Sequence, residues 1–305
     1  MKQSIKIGTR DSQLALWQAK LVQQKINSIS LADIIEIKSE GDIDLVSPLY
    51  EMGVQGIFTK TLDIALLNKK IDVAVHSLKD VPTQLPEGLM IAAILPRANF
   101  KDWMVVKDEQ IDFSKPLTVA TSSLRRKAQW LNRYPNHTFE SLRGNINTRL
   151  QKLKDNEHWA GALFAAAGVE RIALEIPHHI ELDWMLPAPA QGAIAIVCRN
   201  DDNDVKSFCL NFNDNNTALC VNAERQFLRT LMGGCSMPIA ALATIDSTGK
   251  MNIKGNVLTI DGKDKAEVEM QFSENDFINA GIVAAEKLLE NGGKEILEKV
   301  KQQTK

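Results

Sequence analysis

The stretch MLPAPAQGAIAIVCR, residues 185–199, joins two kinds of chain: a Pro-Ala-Gly run that suits neither a helix nor a sheet interior, then an apolar run of strand length. It reads as a segment that crosses back from a second folded unit and delivers a strand to the sheet of the first. Paired with an outward crossing, it makes a hinge. Upstream, short β-branched runs alternate with helical periodicity: SIKIG, the apolar-periodic 14–26, DIIEIK, 58–67 and IDVAVHS. This βαβα rhythm predicts α/β layers with substantial parallel pairing. A break follows at ILPRANFKDW, where Pro96 and polar residues interrupt the pattern. A second α/β set then begins with LTVAT, a helix over 122–134, HTFESL, a helix over 145–154 and GALFAAAG. Downstream of the crossing, the polar linker NFNDNN leads to a third pattern: a helix over 218–231, strands near 240–244, 252–259 and 266–272, and a helix from about 275. That order predicts a small α+β unit.

A length of 305 residues suits two or three domains, and 44% hydrophobic content fills ordinary cores. The net charge of −2 sets up no global field toward nucleic acid or an anionic membrane, so any basic function must be local. The opening MKQSIKIGTR lacks the apolar core of an export signal, and no window approaches a membrane-spanning run, so a cytoplasmic location is expected. Cys198, Cys209, Cys220 and Cys235 form no C-x-x-C pair, and the adjacent His178 and His179 lack the helical spacing of metal ligands. No metal site is expected.

Local charge is far from even. Residues 118–153 carry Arg125, Arg126, Lys127, Arg133, Arg143, Arg149 and Lys152 against one acid, Glu140, which indicates an acidic ligand. TSSLRR puts two hydroxyls at a predicted strand-to-helix turn, where free N–H groups and the helix dipole favour anions. LRGNINTRL repeats the device: Arg143, Gly144 for close backbone approach, a capping Asn145, and Arg149 one turn in. Arginine forks bind carboxylate or phosphate bidentately. The competing reading is a solvated basic face with ordinary caps. Phosphate, nucleotide and nucleic acid compete with polycarboxylate as ligand, yet neither G-x-x-x-x-G-K-[ST] nor G-x-G-x-x-G occurs, and aromatics in the block are sparse.

VAVHSLKDVPT sets His76, Ser77, Lys79 and Asp80 after a buried-looking strand, where ligands of α/β sheets gather. Asp80 is a candidate proton donor or cation stabiliser, and a capped turn with a surface Lys-Asp pair is the alternative. IGTRDSQLALWQA similarly supplies Thr9, Arg10 and Ser12 at a strand-to-helix junction. In MGGCSMP, the glycines before Cys235 and Pro238 after it favour a loop with a reachable thiol over a buried small hydrophobe.

Together these stretches resemble the porphobilinogen deaminase family. Seven blocks match in order over essentially the whole chain: IGTRDSQLALWQA, VHSLKDVPT, ATSSLRRKAQ, LRGNINTRL, AAAGVERI, LPAPAQGAIAI and LRTLMGGCSMPIA. The resemblance implies a transferase that condenses four porphobilinogens, with loss of ammonia, into the linear tetrapyrrole hydroxymethylbilane in haem biosynthesis. It implies a dipyrromethane cofactor, joined by a thioether to Cys235 and serving as primer. It implies that Asp80 is the catalytic aspartate, stabilising the azafulvene cation left when ammonia departs and mediating proton transfer. Arg10, Arg125, Arg126, Arg143, Arg149 and Arg171 then hold the acetate and propionate groups of cofactor and substrate, with Ser12, Ser77, Lys79, Thr121, Ser122, Ser123, Gly144 and Gln191 as neighbouring anchors.

The fold implied is α/β in three domains. Residues 1–96 with 192–212, and residues 97–191, resemble the two lobes of type II periplasmic binding proteins, and residues 213–305 form a small α+β domain with the cofactor loop. A monomer is implied, with no nucleic acid or membrane partner. The chain departs from the family pattern at Val54 and Gln55 between Gly53 and Gly56, where G-G-K-G is usual. It departs again at Ala190 in the usual G-Q-G-A, at Val197 in place of a glutamate, near Ala160 in place of an acid, and at Ala240 in place of a glycine. A non-catalytic organic-anion binder of the same architecture is the rival hypothesis, and it needs neither Cys235 nor Asp80. A phosphate-handling transferase, the third, lacks a nucleotide motif.

Overall fold

The computed structural model describes residues 4–38, 59–108, 110–172, 176, 178–232 and 237–303. Cys235 and the departures at Val54 and Gln55 lie outside them. The chain divides into two compact units, one of Met1–Leu45, Val54–Ala98 and Gly192–Ala218, the other of Val46–Gly53, Asn99–Gln191 and Leu219–Lys305.

In the first unit, β1 (Ile5–Thr9), α1 (Gln13–Asn27), β2 (Ala32–Glu36), α2 (Lys60–Leu67) and β3 (Val73–Ser77) follow the expected rhythm. A single 3-10 turn, Leu78–Asp80, precedes β4 (Leu89–Ile94). The second unit opens with β5 (Asp102–Val106), β6 (Thr118–Ala120), α3 (Leu124–Arg133), β7 (Thr138–Glu140), α4 (Ile146–Asp155), β8 (Trp159–Ala165), α5 (Ala166–Arg171) and β9 (His178–Glu181). The chain then returns through β10 (Ile194–Arg199) and α6 (Asn203–Leu210) to the first unit. It ends with α7 (Asn215–Thr230), β11 (Ile239–Ile245), β12 (Met251–Leu258), β13 (Lys265–Phe272), α8 (Ala280–Leu288) and α9 (Lys294–Gln303).

The first sheet has the order β2-β1-β3-β10-β4, with β1 parallel to β2 and β3 and with β10 antiparallel to β3 and β4. The second has the order β7-β6-β8-β5-β9, with β6 parallel to β7 and β8 and with β5 antiparallel to β8 and β9. The two sheets share one topology: three parallel strands, one strand running against them, and an edge strand. Burial follows strand alternation. Val73 and Val75 join Ile7, Val22 and Ile196 on one face of the first sheet, while Ala74 joins Leu62, Leu66 and Val197 on the other. The third sheet, β11-β12-β13, is antiparallel and packs around Phe227, Ile253 and Ala284.

The stretch read as a break already contains β5, since Asp102 opens that strand. Pro96 and the polar residues behind it mark the crossing, and the strand begins as soon as they end. The helix expected from 122 starts at Leu124, because Ser123 is its cap.

Candidate functional site

Each of the two mixed sheets presents the carboxyl ends of its parallel strands to capped turns, where unpaired backbone N–H groups favour an anion. In the first unit β1 runs into Arg10 and Ser12. The Ser12 hydroxyl caps α1 by accepting from the Ala15 N–H at 3.3 Å. The neighbouring β3 ends in Ser77, whose hydroxyl accepts from Gln18 Nε2 at 2.8 Å, and the 3-10 turn carries Lys79 and Asp80 just beyond. Arg10, Ser12, Gln18, His76, Ser77 and Asp80 line one pocket of about 60 Å³. Burial, and then the charge of Arg10, lower the His76 imidazole to about 4, so it is neutral across the physiological range.

The second unit repeats the design twice. After β6, the Thr121 N–H donates to the Glu140 carbonyl at 2.9 Å, and the Thr121 hydroxyl accepts from the Ser123 N–H at 3.2 Å. The Ser123 hydroxyl accepts from the Arg126 N–H at 3.4 Å, capping α3. Ser122 ties this turn to the next, with its hydroxyl 2.8 Å from that of Ser141 and accepting from the Leu142 N–H at 2.9 Å. After β7 comes Gly144 at φ 111, where a Cβ would lie 2.8 Å from Thr148 Cγ2. Asn145 caps α4 by accepting from the Thr148 N–H, and Arg149 Nε donates to the Gly144 carbonyl at 2.8 Å. Arg143 is buried, and Arg171, at the end of α5, is lowered to about 10 by burial against the opposing charge of Glu170.

Arg125 and Arg126 converge on a residue that the sequence analysis passed over. Asp102, fully buried, accepts from Arg125 Nη1 at 2.7 Å through one oxygen. Its other oxygen accepts from Arg126 Nε and Nη2 at 3.0 and 2.8 Å and from Gln191 Nε2 at 3.0 Å. Burial raises the Asp102 carboxyl, but the charges of Arg125 and Arg126 outweigh it and hold the group well below the usual carboxylate range. Arg126 Nη1 donates to the Leu163 carbonyl at 2.9 Å, whereas Arg125 Nε is buried without a hydrogen-bond partner. Two guanidiniums on one carboxylate leave this knot one positive charge in excess. Gln18, His76 and Asp102 are the site residues that sequence reasoning did not retain. For His76 the signal was present, since it stands beside Ser77 in the same motif.

The placement defines a class: an α/β protein with capped turns at the carboxyl ends of its strands, carrying Arg10 and Asp80 in the first unit and a cluster of arginines in the second. Comparison with known proteins narrows this. The family described as "Porphobilinogen deaminase, dipyromethane cofactor binding domain" matches residues 5–207, and "Porphobilinogen deaminase, C-terminal domain" matches residues 218–290. The porphobilinogen deaminase of Desulforamulus reducens is 41% identical over 99% of both chains, and that of Acidithiobacillus ferrooxidans is 39% identical over the same shares. Among solved structures, the BvgS VFT2 domain of Bordetella pertussis aligns with 68% of this chain and 86% of its own at 13% identity, with a TM-score of 0.41, and nothing here rests on that likeness. The chain belongs to the porphobilinogen deaminase family. It is a transferase of tetrapyrrole synthesis, with porphobilinogen as substrate and a dipyrromethane-binding domain.

Proposed function

We propose that this chain builds hydroxymethylbilane on a dipyrromethane held by a thioether at Cys235, with Asp80 as the carboxylate at the reacting ring. The observation that carries the reading is the pocket where Asp80 meets Arg10, Ser12 and Ser77 at the ends of β1 and β3. A simple anion binder has no use for a carboxylate among its cationic and hydroxyl donors. The donors of the second unit fit a cofactor rich in acetate and propionate: the Asp102 knot has one uncompensated positive charge, and Arg125 Nε has no partner. Arg125, Arg143, Arg149 and Arg171, with Thr121, Ser122 and Ser123, would hold those carboxylates. When bound, the dipyrromethane supplies the free pyrrole α-carbon to which each new ring is joined. Asp80 accepts a hydrogen bond from the pyrrole N–H and opposes the positive charge that grows as ammonia leaves. Arg10 and Lys79 balance the incoming carboxylates. The three-domain division, with the third sheet as the module behind the Cys235 loop, belongs to this reading, as do the monomeric state and the cytoplasmic location.

Intact mass of the denatured chain tests the tether. Wild type should carry an excess of two pyrrole units that Cys235→Ala lacks, while Asp80→Ala should keep the ability to hold the cofactor and lose turnover by two orders of magnitude or more, roughly the range of a lost acid–base and charge-stabilising group. A bare wild-type mass that stays bare after incubation with porphobilinogen or preformed hydroxymethylbilane would remove the proposal. Full turnover by Asp80→Ala would remove the role given to that residue.

A further inference from the structure

His76 has no part in the mechanism above, yet its side chain lines the same pocket as Asp80. It is 6% exposed, and its Nε2 is shut off from water with no hydrogen-bond partner. The preceding residues of β3, Val73, Ala74 and Val75, are fully buried and apolar, and His76 itself sits opposite Ala195 of β10. An apolar side chain would fill such a position at no polar cost, whereas a buried ring nitrogen without a partner is a net loss to the fold. The defect is not isolated. Thr9, the last residue of the adjacent β1, is fully buried and its hydroxyl likewise has no partner. Both orphaned groups stand at the carboxyl ends of neighbouring parallel strands, where ligands of α/β sheets bind.

Resting on the functional reading above, we propose that His76 is a further substrate-binding residue, whose neutral imidazole donates its N–H to the same porphobilinogen carboxylate that Arg10 attracts. A cation beside an imidazole disfavours the imidazolium and invites an anion, and a carboxylate placed there satisfies both groups. The neutral ring makes a directional donor. It supplies a hydrogen bond without a second full charge, which leaves the Asp80 carboxylate free of a competing ion pair.

The test compares holoenzymes of wild type, His76→Leu and His76→Gln, each first checked by intact mass for the two-pyrrole excess. His76→Leu should melt no lower than wild type, because the orphaned nitrogen is gone, while its KM for porphobilinogen rises about tenfold or more and kcat falls by less than about threefold, the signature of one lost hydrogen bond to a charged group. His76→Gln, which restores an N–H donor, should recover most of the KM. Independently, in protein carrying nitrogen-15-labelled histidine, the His76 ring resonances, assigned by their loss in His76→Gln, should move when porphobilinogen is added. A KM for loaded His76→Leu within about twofold of wild type, or ring resonances that stay in place, overturns the proposal. A wild type that neither holds the pyrrole mass nor consumes porphobilinogen overturns the functional reading, and this inference falls with it.

Discussion

Arg126 directs every guanidinium nitrogen into the protein: Nε and Nη2 to Asp102, Nη1 to the Leu163 carbonyl. Its neighbour Arg125 gives Nη1 to Asp102 and to the Leu186 carbonyl and keeps Nε uncommitted. Adjacent in the chain and alike in the motif, the two residues do different work. Arg126 fastens α3 to β5 and β8, and Arg125 keeps one donor uncommitted. In TSSLRR they are indistinguishable, because the carboxylate that separates their roles lies in a stretch whose proline and polar residues read as a break. Removing that carboxylate should be severe. Asp102→Asn leaves two buried guanidiniums without a counter-charge, for an expected loss of about 3–5 kcal/mol in urea unfolding at pH 7. Because the folded-state pKa is depressed, the contribution of Asp102 is complete above the ordinary carboxylate value near 4 and fades as pH falls below it. The gap between variant and wild type should therefore narrow on acidification below about pH 4, and a gap that widens would contradict the charge assignment.

The elements show which local signals survive folding. Ser12, Ser123 and Asn145 each cap a helix at a strand-to-helix turn, because short oxygen-bearing side chains there satisfy N–H groups with no partner in the helix. That chemistry is local and was legible. The strands β4, β5 and β9 were not, since they are short, lack alternation and acquire their partners from distant chain. The end of α2 is a case where structure overrides preference. The Lys70 N–H donates to the Ala65 carbonyl at 2.9 Å and the Lys69 N–H to that of Leu66 at 3.0 Å, a Schellman closure with Lys69 at φ 56 where glycine is favoured. Lys69→Gly, at an exposed position, should raise stability by up to about 1 kcal/mol, read as a higher urea midpoint with an unchanged slope. A lower midpoint would mean that the glycine's greater freedom in the unfolded chain outweighs the relieved strain.

At the scale of the whole molecule, a cofactor that binds the folded chain and not the unfolded one shifts the unfolding equilibrium. The second unit has an unbalanced buried charge that a polycarboxylate would neutralise, so the Cys235→Ala protein should melt several degrees below the loaded protein, roughly what 1–2 kcal/mol moves in a chain of this size. Adding salt should leave most of the difference in place, since a buried charge is screened far less than an exposed one. Equal melting of the two forms would mean that the cofactor carboxylates meet no unpaired cation.

The strand that runs against its neighbours in the first sheet has a consequence in time. β4 pairs with β10 and with no other described strand, and β10 is Ile194–Arg199, made only after the ninety-odd residues that separate it from Ala98. On the ribosome, β3 and β4 therefore emerge side by side in sequence with an empty lane between them. The first sheet waits, its central slot open and its apolar face uncovered, until the other unit's chain has been synthesised and the strand after the prolines arrives to close it.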